Sequence, residues 1–360
     1  MDETIEPLFE PSQALLGDEK KEPVPCVEPI RFGNIEVDGL NVQACLAVTL
    51  CAFLILISVL RFSPADYFMQ QNIQAVNQPQ YIDVGSGEEL VQSLKENGLW
   101  EIDEQDRVPP VIFSGFPESI NNLHIEVKKK SFLHAMVPAA LIALAEIENE
   151  KKALQSILAR FPQGFKELVF SDDFAVWGRV LTMDEIEFVL MLTRKYRTNR
   201  AAELHKRIDL IPISLILAQG AIESSWGTSR FAQLGNNLFG IWTWGEKGIV
   251  PAGRDDGKQH KIATYDTIID SIRAYIIMIN RLPAYRNFRE IRSKTSNPMK
   301  LADGLLYYSE RRDAYVWEVK NLIRYNKLTA YDALTLADAP ETPVMMKSSF
   351  ILARYGKKAV

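Results

Sequence analysis

Along most of the chain, apolar residues recur every three or four positions between short polar breaks, which is the pattern of packed helices. Ser86-Gly87-Glu88-Glu89 has capping-box spacing and Gly98 sits where a helix would stop, so a helix is predicted over 87–97. A long helical stretch runs from Ser131 to Phe161, with Leu141, Leu144, Ile147, Leu154 and Leu158 on its apolar face and a break or kink at Pro138. Charge interrupts it too often for a membrane span. Thr182-Met183-Asp184-Glu185 is a second capping box, opening a helix to about Tyr196. Pro212 and Gly227 suit the start and stop of another. Ile269, Ile272, Ile276 and Ile279 mark a helix after Asp266 that Pro283 closes. A last helix follows Ser309, turns Val316, Val319 and Ile323 inward, and fades near Asn326; beyond Asp332 the chain looks loose. The convincing strand signal lies between Phe239 and Tyr265, where IWTW and HKIATY flank a Gly- and Asp-rich loop. Periodicity alone therefore gives a mainly α fold with a small β-hairpin lobe.

One segment breaks the amphipathic pattern. Ala44 to Leu60 carries no charge and only Thr49 and Ser58 as weakly polar positions, which predicts a transmembrane helix, extended by Val42 and Gln43. No basic region abuts it, so it is read as an anchor rather than a cleaved signal. Arg31 and Arg61 leave the charge on its two sides nearly balanced, and charge alone does not orient it. The expected organisation is a disordered leader (1–41), an anchor (42–61), an amide-rich linker (62–85), a helical extension (86–200), a catalytic domain (201–332) and a tail (333–360). The 360 residues, 47% apolar and 24% charged, suffice for a sizeable core, and a net charge of −5 argues against nucleic acid as the partner. Cys26, Cys45 and Cys51 all precede Arg61, so nothing after the anchor can form a disulfide or a thiolate metal site. His124, His134, His205 and His260 lack paired ligand spacing, and there is neither a phosphate-binding glycine loop nor a Gly-x-Ser-x-Gly elbow, so no metal and no cofactor is expected.

The most informative stretch is Ile211 to Trp244. Glu223 falls in the last turn of its helix, on the face of Gln219 and Leu215. There the negative end of the helix dipole, an apolar wall from Trp226 and burial at the foot of a cleft would each favour a protonated carboxyl, which is what an acid catalyst acting near neutral pH needs. These arguments do not single out Glu223 among glutamates near helix ends.

The residues LAQGAIESSWGTSRFAQLGNNLFGIWTW, followed by GIVPAGRDDGKQHKIATYDTIIDSIRAYIIMINRLPAYRNFR and LLYYSERRDAYVWEVKNLIRYNKL, resemble bacterial Bax-type proteins of the glucosaminidase superfamily, related to the flagellar-type peptidoglycan hydrolases. Three blocks in the family's order cover about residues 105–330. Gly220 stands where Ala is more usual and Ser225 where Gly is usual. The resemblance implies a lysozyme-like α+β fold behind the anchor, with Glu223 as general acid. A second carboxylate would lie in the hairpin lobe, at Asp255 or at the alternates Asp256 and Glu246, unless Asp255-Asp256-Gly257 is only a turn. Tyr285 would line the cleft. Gln219, Ser225, Asn237, Phe239, Trp242, Trp244 and Tyr308 are further candidates for substrate contact, with one of Phe239 and Trp242 expected in the cleft and the other buried. Glu310 is either a cleft acid or the first-turn residue of a capped helix.

The implied activity is hydrolysis of the β-1,4 bond after N-acetylglucosamine in peptidoglycan. A lytic transglycosylase using the single acid, and a catalytically idle wall-binding scaffold, remain as alternatives. The implied partners are peptidoglycan glycan strands and, through the anchor, a lipid bilayer. Because that substrate lies outside the cytoplasmic membrane, the folded part is expected in the periplasm.

Overall fold

The computed structural model describes residues 30–32, 35–37, 79–103, 106–161, 164–171, 177, 179–251, 257 and 259–337. The predicted anchor at 42–61 and the carboxylates Asp255 and Asp256 lie outside these. Two compact units are present, split between Ile73 and Gln74. In the first, β1 (Ile30–Phe32) and β2 (Ile35–Val37) pair antiparallel.

The second unit is mainly helical. Helix α1 (Gly87–Glu96) is capped by the Ser86 side chain, as its sequence predicts. Helix α2 (Ile125–Leu158) is its spine, 34 residues long, or about 50 Å at 1.5 Å per residue. It starts before the expected Ser131, contains Pro138 without ending there, and stops short of Phe161. By length and apolar composition it could cross a membrane, but 72% of its most apolar window is buried inside the protein, as befits a core helix. Helix α3 (Met183–Tyr196) opens with the predicted capping box, Thr182 and Glu185 each bonding the other's backbone. Helix α4 (Ala201–Arg207) leads to α5 (Ile213–Ser224), in which ten of twelve residues are buried.

Helix α6 (Arg230–Gly235) follows, then the hairpin lobe of β6 (Trp242–Thr243) and β7 (Lys261–Ile262), paired with Trp242 opposite Ile262. Helices α7 (Ile268–Arg281), α8 (Arg286–Arg292), α9 (Pro298–Leu301) and α10 (Asp313–Tyr325) complete the set. α2 packs against α5 and α7, and α10 packs on α5. Arg273 of α7 reaches Glu146 of α2 at 2.6 Å, tying the two helices by charge as well as by their isoleucine and leucine faces. The segments expected as helical extension and catalytic domain share one hydrophobic core, from Leu90 to Leu334.

Two short parallel pairs close the unit. β3 (Gln80–Ile82) lies beside β5 (Val111–Phe113), and β4 (Arg107–Val108) lies beside β8 (Thr335–Leu336). The chain just past Asp332 is therefore not loose as expected: it returns to form a strand, and Ala337 N–H donates to Val108 O at 2.8 Å.

Candidate active site

Helix α5 positions Glu223. Buried on nearly all sides, it needs no polar stripe, and polar groups meet it only at its ends and at Gln219. Three successive left-handed residues, Ser225, Trp226 and Gly227, with φ of 52°, 60° and 79°, end the helix directly after Ser224. Ser225 therefore sits in a conformation that glycine adopts at less cost. A Cβ on Gly227 would lie 2.9 Å from the Phe116 ring, so glycine is required there on two counts. Gly220 brings α5 close to α2: a Cβ would stand 3.0 Å from Met136 Cε.

Glu223 is half-buried, and burial raises its carboxyl above the ordinary carboxylate range. A hydrogen bond from Tyr315 and the charge of Arg311 pull the other way, whereas the negative charge of Glu318 adds to the rise. Gly240, exposed and left-handed at φ 64°, faces the carboxyl: a Cβ on it would be 3.5 Å from Glu223 Oε2. Behind the acid stands a stack of rings. Phe239 lies on Tyr275 (centroids 4.3 Å), Tyr308 lies on Tyr315 (5.3 Å, interplanar angle 1°), and Tyr285 stands 6.1 Å from Tyr308. The hydroxyls of Tyr275, Tyr285, Tyr308 and Tyr315 are all held above the usual phenol range, by burial first. They stay protonated as hydrogen-bond donors.

The expected site residues separate into those at the acid and those that support it. Tyr285 and Tyr308 both belong to the aromatic wall, Tyr285 buried and Tyr308 half-buried with its hydroxyl donating to Phe239 O at 2.8 Å. Gln219 is fully buried; its amide bridges Tyr275 and Tyr315, which removes it from direct substrate contact and gives it a supporting place. Asn237, at 1% exposure, spends its side chain on the backbone of Ile241 and Ala263, clamping the hairpin lobe rather than presenting an amide to solvent. Of the two aromatic candidates, Phe239 is the buried one and Trp242 the exposed one, stacked on His260 at 4.5 Å. Ser225 is exposed beside Glu223 in sequence, and Trp244 and Glu246 are exposed in the lobe. Glu310 is exposed and precedes α10 instead of opening it, because the helix starts only at Asp313 after Arg312 takes a φ of 49°.

Sequence reasoning missed Tyr275, Tyr315, Gly240 and the pair Arg311–Glu318, whose side chains meet at 2.7 Å. A signal existed for the tyrosines. Each sits within the apolar stripe of its helix, Tyr275 between Ile272 and Ile279 and Tyr315 four residues before Val319, and a buried tyrosine hydroxyl needs a partner. Among the described residues no cluster of three metal-ligating side chains occurs.

Glu223 thus stands near a helix end, its carboxyl raised by burial, beside a wall of tyrosines and facing a glycine. Residues 198–328 match the model of the glucosaminidase family, described as mannosyl-glycoprotein endo-beta-N-acetylglucosaminidase. The similarity is of Bax type: over 167 residues the chain is 34% identical to Protein bax of Escherichia coli (strain K12), covering 46% of this chain and 56% of that protein. The chain thus spans little more than half the length of this relative. The catalytic domain of the autolysin Auto from Listeria monocytogenes aligns at 22% identity over 46% of this chain and 100% of that chain, with a TM-score of 0.27.

Proposed function

We propose that the chain is a membrane-anchored peptidoglycan hydrolase of lysozyme-like architecture, which cleaves the β-1,4 bond after N-acetylglucosamine with Glu223 as general acid. The observation that carries this reading is the Glu223 carboxyl, half-buried against a tyrosine wall, raised by burial and open toward Gly240. In the reaction the Glu223 proton passes to the glycosidic oxygen as its bond to the sugar C1 breaks, and a water oxygen then bonds to C1 and surrenders a proton. Trp242, exposed in the hairpin lobe, supplies a flat apolar face for a sugar ring. Asp255 is the proposed partner that activates the water. The segment 42–61 is the proposed anchor, with the folded part in the periplasm.

The test uses the full chain in detergent. Glu223→Gln should abolish turbidity clearing of purified cell walls, by a factor on the order of 10²–10⁴, with a melting temperature close to that of the parent. Clearing that survives the substitution refutes the assignment. Mass spectrometry of the released sugars decides between hydrolysis and an anhydro-sugar product, which differ by one water. Wall binding without any released sugar would point to a scaffold instead.

A further inference from the structure

We propose that Gln219 is a positioning residue for the acid: it fixes the direction in which the Tyr315 hydroxyl donates, so that this hydroxyl is always offered to Glu223. The inference rests on the reading of Glu223 as general acid and adds the device that aims it.

The geometry begins at Tyr275, which is fully buried on α7 and held by its stack on Phe239. Its hydroxyl donates to Gln219 Oε1 at 2.5 Å. The two spacings decide which way the amide faces: 2.5 Å suits an O–H···O bond and is short for N–H···O, whereas 2.9 Å on the Tyr315 side suits N–H···O. With Oε1 committed to Tyr275, Gln219 Nε2 is left to donate to the Tyr315 hydroxyl, at 2.9 Å. A tyrosine hydroxyl has one proton to give and lone pairs to receive. Since Tyr315 receives from Gln219, its own proton is left for Glu223, one turn along α5, whose carboxyl the Tyr315 hydroxyl draws downward against burial. The Tyr315 ring is held by its parallel stack on Tyr308, whose hydroxyl is in turn tied to Phe239 O. The order Tyr275, Gln219, Tyr315, Glu223 is thus a one-way chain of donors, and Gln219 and Glu223 lie one helical turn apart on α5.

The consequence is kinetic. On the proposed reading the Glu223 carboxyl gives up its proton in the reaction. As that proton leaves, negative charge grows on the carboxylate and the Tyr315 bond strengthens, because a hydrogen bond to an ionised acceptor is about twice as strong as a neutral one. An interaction that gains strength along the reaction lowers the barrier rather than merely tightening binding. The other titratable groups that bear on Glu223 are Tyr275 on α7, Tyr285 and Tyr308 from the segments after it, Arg311 ahead of α10 and Glu318 within it.

The experiment measures cell-wall clearing by the full chain in detergent as a function of pH and wall concentration, for Tyr315→Phe, Gln219→Met and the double variant, each checked by thermal melting. Tyr315→Phe should move the alkaline limb of the profile upward by about one pH unit and lower the maximal rate about tenfold, with little change in apparent KM. Gln219→Met should move it in the same direction. The double variant should shift no further than Tyr315→Phe, because Gln219 acts only through that hydroxyl. An unmoved limb in Gln219→Met, or single shifts that add in the double variant, overturns the proposal. If Gln219→Met fails to fold, Tyr275→Phe keeps the amide but releases it, and an unmoved limb there overturns the proposal equally. Glu223→Gln run alongside separates the two readings. Retained clearing removes the acid itself, whereas a dead Glu223→Gln with unmoved limbs removes only the role of Gln219.

Discussion

Asp332 is expected to hold the N-terminal end of α5 in place, and its replacement by alanine measures that hold. Helix α5 begins after Pro212, whose side chain cannot cap, so its first N–H groups lack a local acceptor. Asp332 supplies one from 118 residues away: its Oδ1 accepts from Ser214 N at 2.8 Å and its Oδ2 from Ser214 Oγ at 2.7 Å. Ser214 is fully buried although Asp332 is exposed, so removing the carboxylate leaves the Ser214 donors with at best partial access to water. Loss of a cap costs about 1 kcal/mol and stranding buried donors about 1–3 kcal/mol, and the two overlap, so Asp332→Ala should cost about 2 kcal/mol. At about 2–4 °C per kcal/mol for a domain of this size, the melting temperature should fall by about 4–8 °C. Asp332→Asn keeps an acceptor for Ser214 N, and since asparagine caps about as well as aspartate it should recover most of the loss. Glu223 sits near the opposite end of this twelve-residue helix, about 15 Å away at 1.5 Å per residue, so clearing per folded molecule at 25 °C should stay at the parent level. Circular dichroism melts of the full chain in detergent make the comparison. An Asp332→Ala melt equal to the parent, or an Asp332→Asn melt as low as that of Asp332→Ala, would show that the contact is not a cap.

Gly240→Ala should cut clearing at least tenfold while lowering stability by only about 1 kcal/mol, since the new methyl meets the Glu223 carboxyl at 3.5 Å and adopts a left-handed φ; full activity in a pure variant would show that the acid works from another side. Clearing should also decline as pH rises through the Glu223 pKa. The active form is protonated and that pKa is raised by burial, so the decline lies above the ordinary glutamate range of about 4.3. The half-exposed pair Arg311 and Glu318 should move this limb in opposite directions, Arg311→Gln upward and Glu318→Gln downward, each by a few tenths of a pH unit and less at high salt; shifts of the same sign would refute the charge argument. Gly227→Ala should destabilise by about 2–4 kcal/mol, because it combines a φ of 79° with overlap on the Phe116 ring, and a melt within 2 °C of the parent would contradict the geometry.

What the sequence made legible follows from where each signal is stored. Ser86, Thr182 and Glu185 cap helices by bonds that close within four residues, so α1 and α3 could be placed from local spacing alone. The isoleucine stripe of α7 was legible for the same reason. The start of α2 was not, because Ile125 to Lys130 is charged and His124 makes no side-chain cap; tertiary burial beginning at Ser131 carries the helix through it and through Pro138. Strand β8 was invisible because its partner Val108 lies more than 200 residues earlier, and parallel pairing leaves no local trace. The same limit applies at the site. Helical phase put Glu223 and Gln219 on one face, but the family resemblance singled out Glu223, and neither gave the inward direction of the Gln219 amide; Asn237 has the composition of a ligand-binding amide while its burial makes it a clamp.

The turn after Glu223 shows why a helix end suits this site. Left-handed Ser225 and Trp226 each cost on the order of 1–2 kcal/mol relative to ordinary helical backbone, and such conformations persist only where the surroundings over-determine them. Here they do. Ser224 Oγ donates to Gly220 O and accepts from Gly227 N at 2.8 Å, Trp226 N donates to Ala221 O, and Ser229 N returns to Ser224 O. The Trp226 ring meets the Phe132 ring edge-on at 5.8 Å, which ties the turn to α2. A helix ending in a frayed turn would let its last residues sample many positions, and an acid placed there would lose the alignment that proton transfer needs. Ending it in a locked left-handed turn leaves Glu223 one residue inside a fixed terminus, while Asp332 fixes the other. Both ends of α5 are thus held by contacts that do not use the Glu223 carboxyl, which keeps its open side toward Gly240.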